Sequence, residues 1–424
     1  MAADGARREE ILTTAAALFA SSGLQTSLKE IADACGILPG SLYHHFDSKE
    51  AIVIELVQRY RDDLDRVAKE AVGDVRLPSS RPAAARIMEL GRSIADCGVR
   101  HRAALLLTLY EPPAVLGDEL VHLARQTPTE IESAMIEIVR QGRAAGEMRP
   151  GVDPALLAER LCQSMLHVGV GVSHLSPGAE QVPEMRLGIL LRGIAASTPS
   201  NSALDRSEAL RAVRHVIAGW DDDTHDDDDR TAHLRAVARR EFGRRGYEST
   251  TMRDIAAAAG LSTGTVYRSF RSKDELLASI MSSYWENWTS AWGTAVRSAS
   301  TPLEKLDALM WVNIQVIGRF SDEFKIQLAW LRQSPPSTPN LDFSFRTQLR
   351  QIKTLLAEGA RAGEIHLDGA SADVRARCVF EAIMTTPHII EVAGSKAAHA
   401  LARDTVLRGA ISQTDALRSA VPDR

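Results

Sequence analysis

The sequence predicts an all-α protein built from two copies of one unit, and three observations carry that expectation. Apolar residues recur at three- and four-residue steps along most of the chain, as in Ile131-Met135-Ile138 and Ile352-Leu355-Leu356. No stretch alternates apolar and polar residues between hairpin turns. A pattern of Gly, Tyr, Phe and Lys near the N-terminus returns in the same order beyond position 230. Gly36, Tyr43, Phe46 and Lys49 match Gly260, Tyr267, Phe270 and Lys273 at an offset of 224, whereas Phe19 and Gly23 match Phe242 and Gly246 at 223. One residue has therefore been gained or lost between them. A second pair, GRAAGEMRPGVDP from Gly142 and GARAGEIHLDGAS from Gly359, follows in the same order, so the whole unit is repeated.

Each copy opens with a helix, about 7–21 and about 230–244, that ends at Gly23 or Gly246 as a left-handed cap requires. A capping box then starts a short helix, Ser27-Leu28-Lys29-Glu30 in one copy and Thr251-Met252-Arg253-Asp254 in the other. That helix stops at Gly36 or Gly260, and a second short helix holds GSLYHHF or GTVYRSF. Helix, tight glycine turn, helix is an arrangement in which the second helix enters the DNA major groove. Small residues at its leading end, Pro39-Gly40-Ser41 and Thr263-Gly264-Thr265, let the backbone approach the bases. Tyr43 and Tyr267 offer hydroxyls and Lys49 and Lys273 charge at phosphate height. Ser27 and Thr251 sit at helix N-termini that favour an anion. Lys29, Thr250 and Arg253 complete the candidate contacts around these turns.

The ordered motif, T/S-x-x-(D/E)-I-A, G-hydrophobic, G-(S/T)-(L/V)-Y-x-x-F, then S-K-(D/E), resembles the DNA-binding domain of the TetR family of bacterial transcriptional regulators, and it occurs twice. The resemblance implies a three-helix DNA-binding domain followed by a helical, ligand-binding and dimerising body in each half. The A-G-E steps at Gly146 and Gly363 look like the loop before that family's last two dimerising helices. The organisation resembles the tandem, single-chain members found in actinobacteria. The implied division is a first DNA-binding domain at 1–50, a body at 51–200, a connector at 201–229, a second DNA-binding domain at 230–275 and a body at 276–424.

In the connector, TPSNS reads as a loop and LDRSEALRAVRHVIAGW as a helix. The run DDDTHDDDD carries no apolar residue and repels itself, so it reads as a solvated linker rather than a cation site around His225.

Charge separates the two DNA-binding segments. The second sets ten Arg and Lys against five Asp and Glu; the first, from Arg7 to Glu50, sets four against six. Phosphate attraction dominates non-specific affinity, so the second is expected to be the stronger anchor. Arg268 stands where the first copy has His44, and reads either a guanine edge or a phosphate. Ser262 is an N-cap for the second recognition helix; the first has Leu38 there, partly offset by Pro39 at the first helical position.

The second body is rich in aromatics, among them Trp285, Trp288, Trp292, Trp311 and Trp330. These read either as core or as walls of an apolar effector pocket. The pocket reading names Trp311, Gln315, Trp330, Met384 and His388, with Tyr110 as the counterpart in the first body. A bend at Pro387 would open it. Cys35 reads as a small buried hydrophobe or a redox sensor. The late helices, about 153–175 with 183–196 and about 371–393 with 396–413, are expected to pair as a four-helix bundle within one chain. Pairing of the chain with a second copy stays open.

Net charge −5 excludes an evenly basic nucleic-acid coat but not a local basic face. Four scattered cysteines without CxxC indicate neither a disulfide framework nor a cysteine-based zinc site, and no metal or cofactor is expected. MAADGARREE lacks the apolar run of a signal peptide, and no stretch approaches the ~18 residues of a membrane span. GxxxxGKS/T, GxGxxG and HExxH are absent, so no enzyme is expected. The expectation is a cytoplasmic regulator, a repressor that binds double-stranded operator DNA at an asymmetric site and answers to a small apolar effector. The alternative is a ligand- or partner-binding protein whose DNA-binding segments have decayed.

Overall fold

The computed structural model describes residues 2–22, 26–76, 81–108, 118–125, 128–171, 178–221, 229–247, 250–332 and 345–412. Gly23, Tyr110, the side chain of Trp330 and most of the acidic run with His225 lie outside the described residues. In the first half come α1 (Ala2–Ser22), α2 (Leu28–Ala34), α3 (Pro39–Tyr43), α4 (Lys49–Arg76), α5 (Ala83–Arg100), α6 (Arg102–Thr108), α7 (Asp118–Arg125), α8 (Thr129–Ala144), α9 (Pro154–Gly171) and α10 (Val182–Arg192). The connector holds α11 (Asn201–Asp205) and α12 (Glu208–Ala218). The second half runs α13 (Asp229–Arg245), α14 (Met252–Ala258), α15 (Thr263–Ser269), α16 (Lys273–Arg297), α17 (Pro302–Arg319), α18 (Ser321–Arg332), α19 (Arg346–Arg361), α20 (Ala372–Ala382) and α21 (Pro387–Ala402), closing on a π-helical turn, Arg403–Leu407. The described residues form no strand beyond two isolated bridges.

Apolar spacing explains how each half is assembled. Val53, Val57, Tyr60, Leu64 and Val67 fall at alternating four- and three-residue steps on α4 and are all buried. Leu277, Met281, Tyr284, Trp288 and Ala291 repeat that stripe on α16. Each stripe lies in its own body, where α4 packs on α5 and α8, and α16 on α17. Among the described tryptophans of the second body, Trp288 and Trp292 are core: both are buried, and their indole N–H groups donate to Asn313 (3.2 Å) and Gln351 (2.8 Å), with Trp285 and Trp311 half-buried against that core. Helix α12 joins the second body against α16 and α17. There the buried Arg403 of the π-turn bonds both Asp307 of α17 and Asp205 of α11, so the connector is tied to the end of the chain.

The halves meet through their last helices. α10 packs on α20 and the π-turn, and α9 on α21. The backbone hydrogen bonds between them come in reciprocal pairs. Ile194 N–H donates to Val406 O at 2.9 Å and Ala410 N–H to Leu190 O at 3.0 Å; Ala195 N–H donates to Leu407 O at 2.9 Å and Ile411 N–H to Leu191 O at 3.0 Å. Arg149 N–H to Ala410 O is answered by His366 N–H to Ile194 O, both 2.8 Å. Ser412 N–H to Glu147 O (2.8 Å) is answered by Ala196 N–H to Glu364 O (2.9 Å). At the centre, Gly193 and Gly409 have φ of +75° and +81°, and a Cβ on either would lie 2.4 or 2.3 Å from the opposite backbone. Residue i bonding j while j's counterpart bonds i's counterpart is the signature of a twofold interface, here within one chain.

The side chains break that symmetry. α9 is continuous, but its counterpart stops after Ala382 and restarts at Pro387, with Thr386 as N-cap. The proline therefore begins a new helix rather than bending one. The carbonyls freed by the break are capped from the other half: buried Arg160 donates to Ala382 O (2.6 Å), Met384 O (3.4 Å) and Thr385 Oγ1 (3.3 Å). Its neighbour Glu159 accepts from Thr386 Oγ1 (3.1 Å) and His388 Nδ1 (2.9 Å) at the start of α21. A cation thus meets the C-terminus of one helix and an anion the N-terminus of the next, as the helix dipoles favour.

Candidate nucleic-acid interface

Both helix-turn-helix units are built from local sequence. In α2, Ser27 accepts from Glu30 N–H (3.2 Å) while Ser27 N–H donates to Glu30 Oε2 (2.7 Å); Thr251 and Asp254 repeat this at 3.2 and 2.8 Å. Each helix ends in the same two-bond turn. Ile37 N–H reaches Ala32 O (3.0 Å) and Gly36 N–H Asp33 O (3.1 Å), with Leu261 to Ala256 (2.9 Å) and Gly260 to Ala257 (3.2 Å) as the equivalents. This motif needs a left-handed residue, and Gly36 and Gly260 supply it at φ +65° and +66°. Leu42 and Phe46, or Val266 and Phe270, then bury the inner face of the recognition helix.

The outer face is left to solvent. Gly40, Ser41, Tyr43 and His44 are exposed on α3, as are Gly264, Tyr267 and Arg268 on α15, with Thr263 and Thr265 half-buried. Only four large apolar side chains are exposed among the described residues, and three of them (Leu38, Tyr43 and Tyr267) lie on these two surfaces. Pro39, Lys29 and Arg253 are exposed beside them. Ser262 caps α15 by accepting from Thr265 N–H (3.2 Å), whereas Leu38 gives α3 no side-chain cap. Arg268 is braced on its own helix by Thr265 Oγ1 at 3.1 Å.

Several expected contacts are used inside the domain instead. Thr250 is fully buried, donating to Gly246 O at 2.9 Å. The ammonium of Lys273 donates to Tyr247 O (2.9 Å) and Thr250 O (3.1 Å) and lies 4.2 Å over the Tyr247 ring; Lys49, its counterpart, is half-buried. The hydroxyls of Ser27 and Thr251 donate to Glu30 (2.8 Å) and Asp254 (2.6 Å), so the anion at each helix start is the chain's own carboxylate. Those hydrogen bonds hold both carboxyls below their ordinary range. Arg239, counted among the basic residues, pairs at 2.6 Å with Glu323 of α18, a buried carboxyl whose pKa desolvation raises. That pair and the packing of α13 on α18 join the second DNA-binding unit to its body, as α1 on α6 joins the first.

Among the described residues, those expected to wall an effector pocket do not share one cavity. Trp311 packs its ring on His399 at 5.3 Å, and His388 is exposed on Glu159. Met384 lies half-buried beside Arg160. Gln315 alone of the set lines a groove of about 570 Å³ between α12, α17 and α21, with Ile217, Trp220, Ile317, Arg319 and Ile390. Cys35 is buried, in keeping with its reading as a small hydrophobe.

The family described as bacterial regulatory proteins, tetR family, matches residues 11–56 and 234–280. The HTH-type transcriptional repressor KstR2 of Rhodococcus jostii is 31% identical over 195 residues, 45% of this chain and 92% of the relative. KstR2 of Mycolicibacterium smegmatis is 31% identical over 197 residues, with the same coverage of 45% and 92%. The chain belongs to the tetR family. Nearly all of a tetR-family relative is thus spanned by less than half of this chain, and the family's DNA-binding segment occurs in each half. Like its relatives it is a DNA-binding transcriptional regulator. Among solved structures, the ketosteroid transcriptional regulator KstR2 of Mycobacterium tuberculosis is 28% identical, covering 43% of this chain and 92% of that one at a TM-score of 0.37. No described helix is long and apolar enough to cross a membrane.

Proposed function

We propose that this tetR-family chain is a cytoplasmic repressor that reads one asymmetric operator as a single polypeptide, its two unlike helix-turn-helix units taking the places of the two identical units of a homodimer. The observation that carries this is the reciprocal backbone exchange around Gly193 and Gly409. Operator symmetry mirrors protein symmetry, so two heads related by a twofold backbone but differing at His44 and Arg268 call for two unlike half-sites. The exposed faces of α3 and α15, rather than Thr250 or Lys273, carry the reading. The groove beside Gln315 sets Ile217, Trp220, Ile317 and Ile390 beside Arg319, Glu391 and Ser395, which suits a small effector with polar groups as well as the apolar body expected of it.

Footprinting on the DNA upstream of the protein's own gene, with sedimentation of the complex, tests this. One chain protecting two dissimilar half-sites is the expected result; a palindrome bound by two chains overturns the single-chain reading. The acidic first unit favours a second reading, a ligand-binding protein with decayed DNA contacts. Each neutralised phosphate contributes a slope of about −0.9 to log K against log salt, so affinity insensitive to salt would decide for that alternative.

A further inference from the structure

Cys97 and His101 stand one helical turn apart where α5 ends, and Asp63 faces them from α4. Their ligand atoms all lie within 4.8 Å of one another, and His101 Nε2 is 3.1 Å from Asp63 Oδ2. Cys97 is buried, and the side chains of Asp63 and His101 are 14% and 19% exposed, so the cluster is sheltered but reachable. We propose that these three residues form a divalent-metal site, with Zn²⁺ the best match to one thiolate, one imidazole and one carboxylate. Such a set suits a borderline cation in tetrahedral geometry, with water as fourth ligand. Bonds of about 2.0–2.3 Å set neighbouring ligands roughly 3.3–3.8 Å apart, so closing the site takes about an ångström of movement.

The second half of the chain supplies an internal comparison. The repeat aligns Asp63 with Asn287, Cys97 with Val316, and His101 with Phe320, the last two being the C-cap residues of α5 and α17. The structure agrees with that alignment: the Tyr60 ring lies 5.9 Å from His101, and the Tyr284 ring lies 5.9 Å from Phe320. The corner therefore folds from an amide, a valine and a phenylalanine. Only the first half places three ligating side chains there, which the fold does not require.

Arg66 and Arg100 also bond Asp63, yet both are more than half exposed, at 52% and 56%, and reach it from solvent. A carboxylate has lone pairs for a metal as well as a guanidinium, and His101 Nε2 needs only to turn from Asp63 to the ion. The site lies midway along α4, at the end of α5, and α6, next after His101, packs on both α4 and α1. Metal would thus fix α4 against the end of α5 within the first body, and so the base of α6, through which that body holds α1 of the DNA-binding unit. That consequence rests on the DNA-binding reading, whereas the site itself does not.

The test is titration of the full chain with Co²⁺ and Zn²⁺, using Asp63→Asn, Cys97→Val and His101→Phe, each of which installs the residue that the second half already tolerates. Unchanged helical circular dichroism certifies folding. Expected are one Co²⁺ per chain with a thiolate-to-cobalt charge-transfer band, its loss in Cys97→Val, and affinity reduced roughly tenfold or more by the other two. No band at saturating Co²⁺, or a band that survives Cys97→Val, overturns the site. Gel shifts with Zn²⁺ or a chelator then read the coupling: a Zn²⁺-dependent change in wild type that vanishes in Cys97→Val supports it, and identical shifts overturn the coupling alone.

Discussion

Gly193→Ala puts the interface between the halves under direct load. Gly193 has φ +75° and ψ 176°, a conformation almost confined to glycine, which costs a residue with a Cβ about 1–3 kcal/mol. The new methyl would also lie 2.4 Å from Leu407 O, a backbone atom that no rotamer change can move aside. The two segments must separate, loosening the Ile194–Val406 and Ala195–Leu407 bonds at about 1 kcal/mol each. The expected loss is therefore about 3–5 kcal/mol, read as a lower urea midpoint of the first unfolding transition followed by circular dichroism. Gly409→Ala meets Arg192 C at 2.3 Å and should cost a similar amount. Because both substitutions damage one shared contact, the double variant should lose less than their sum. Gly146→Ala is the control: φ is +78° but nothing lies within 4 Å, so only about 1–2 kcal/mol of backbone strain applies. A Gly193→Ala loss no larger than that of Gly146→Ala, or strict additivity with Gly409→Ala, would refute the reasoning.

Asp307 carries a pH signature. Burial pushes its carboxyl up, but hydrogen bonds from Arg403 and His399 bring it below its ordinary value. Its contribution is complete above the unfolded value near ~4 and fades as pH falls through the lower folded value, so acid urea midpoints should fall more steeply in wild type than in Asp307→Asn. At neutral pH, Asp307→Asn should cost about 3–5 kcal/mol by leaving buried Arg403 short of its partner. Leu38→Ser should give α3 the cap that Ser262 gives α15, raising the stability of the first DNA-binding unit by about 1 kcal/mol in thermal melts. In gel-shift titrations at fixed salt, Arg268→Ala should weaken operator binding more than His44→Ala; equal losses would remove the argument for a stronger second head.

Features decided within four or five residues were legible before the structure. The capping boxes Ser27–Glu30 and Thr251–Asp254, the Ser262 cap, its lack at Leu38 and the glycine turns at Gly36 and Gly260 all form where the residue order places them. Their partners are set by helix geometry alone. The effector pocket was not legible in that way. Spacing puts Trp311 and Gln315 on α17 but does not say which helix each will face, and they point to different neighbours. The same limit applied to charge: Arg239 and Lys273 count as basic, yet their partners, Glu323 and the Tyr247 and Thr250 carbonyls, lie on other elements. Leu191-Arg192-Gly193 and Leu407-Arg408-Gly409 are a further repeat, short and without an aromatic landmark, that a search for paired glycines would have found.

Residue order alone determined that the chain is helical, duplicated, of tetR type and unequal in the charge of its two reading heads, because periodicity, caps and repeats are properties of neighbouring residues. Only the tertiary structure decided that Gly193 and Gly409 lie back to back, that Glu159 and Arg160 clamp the break between α20 and α21, and that Asp63 comes within reach of Cys97 and His101. Such contacts join residues far apart in the chain. They exist only once the apolar stripes of the separate helices have been buried against one another, and that burial, summed over the whole chain, is what chooses each residue's neighbours.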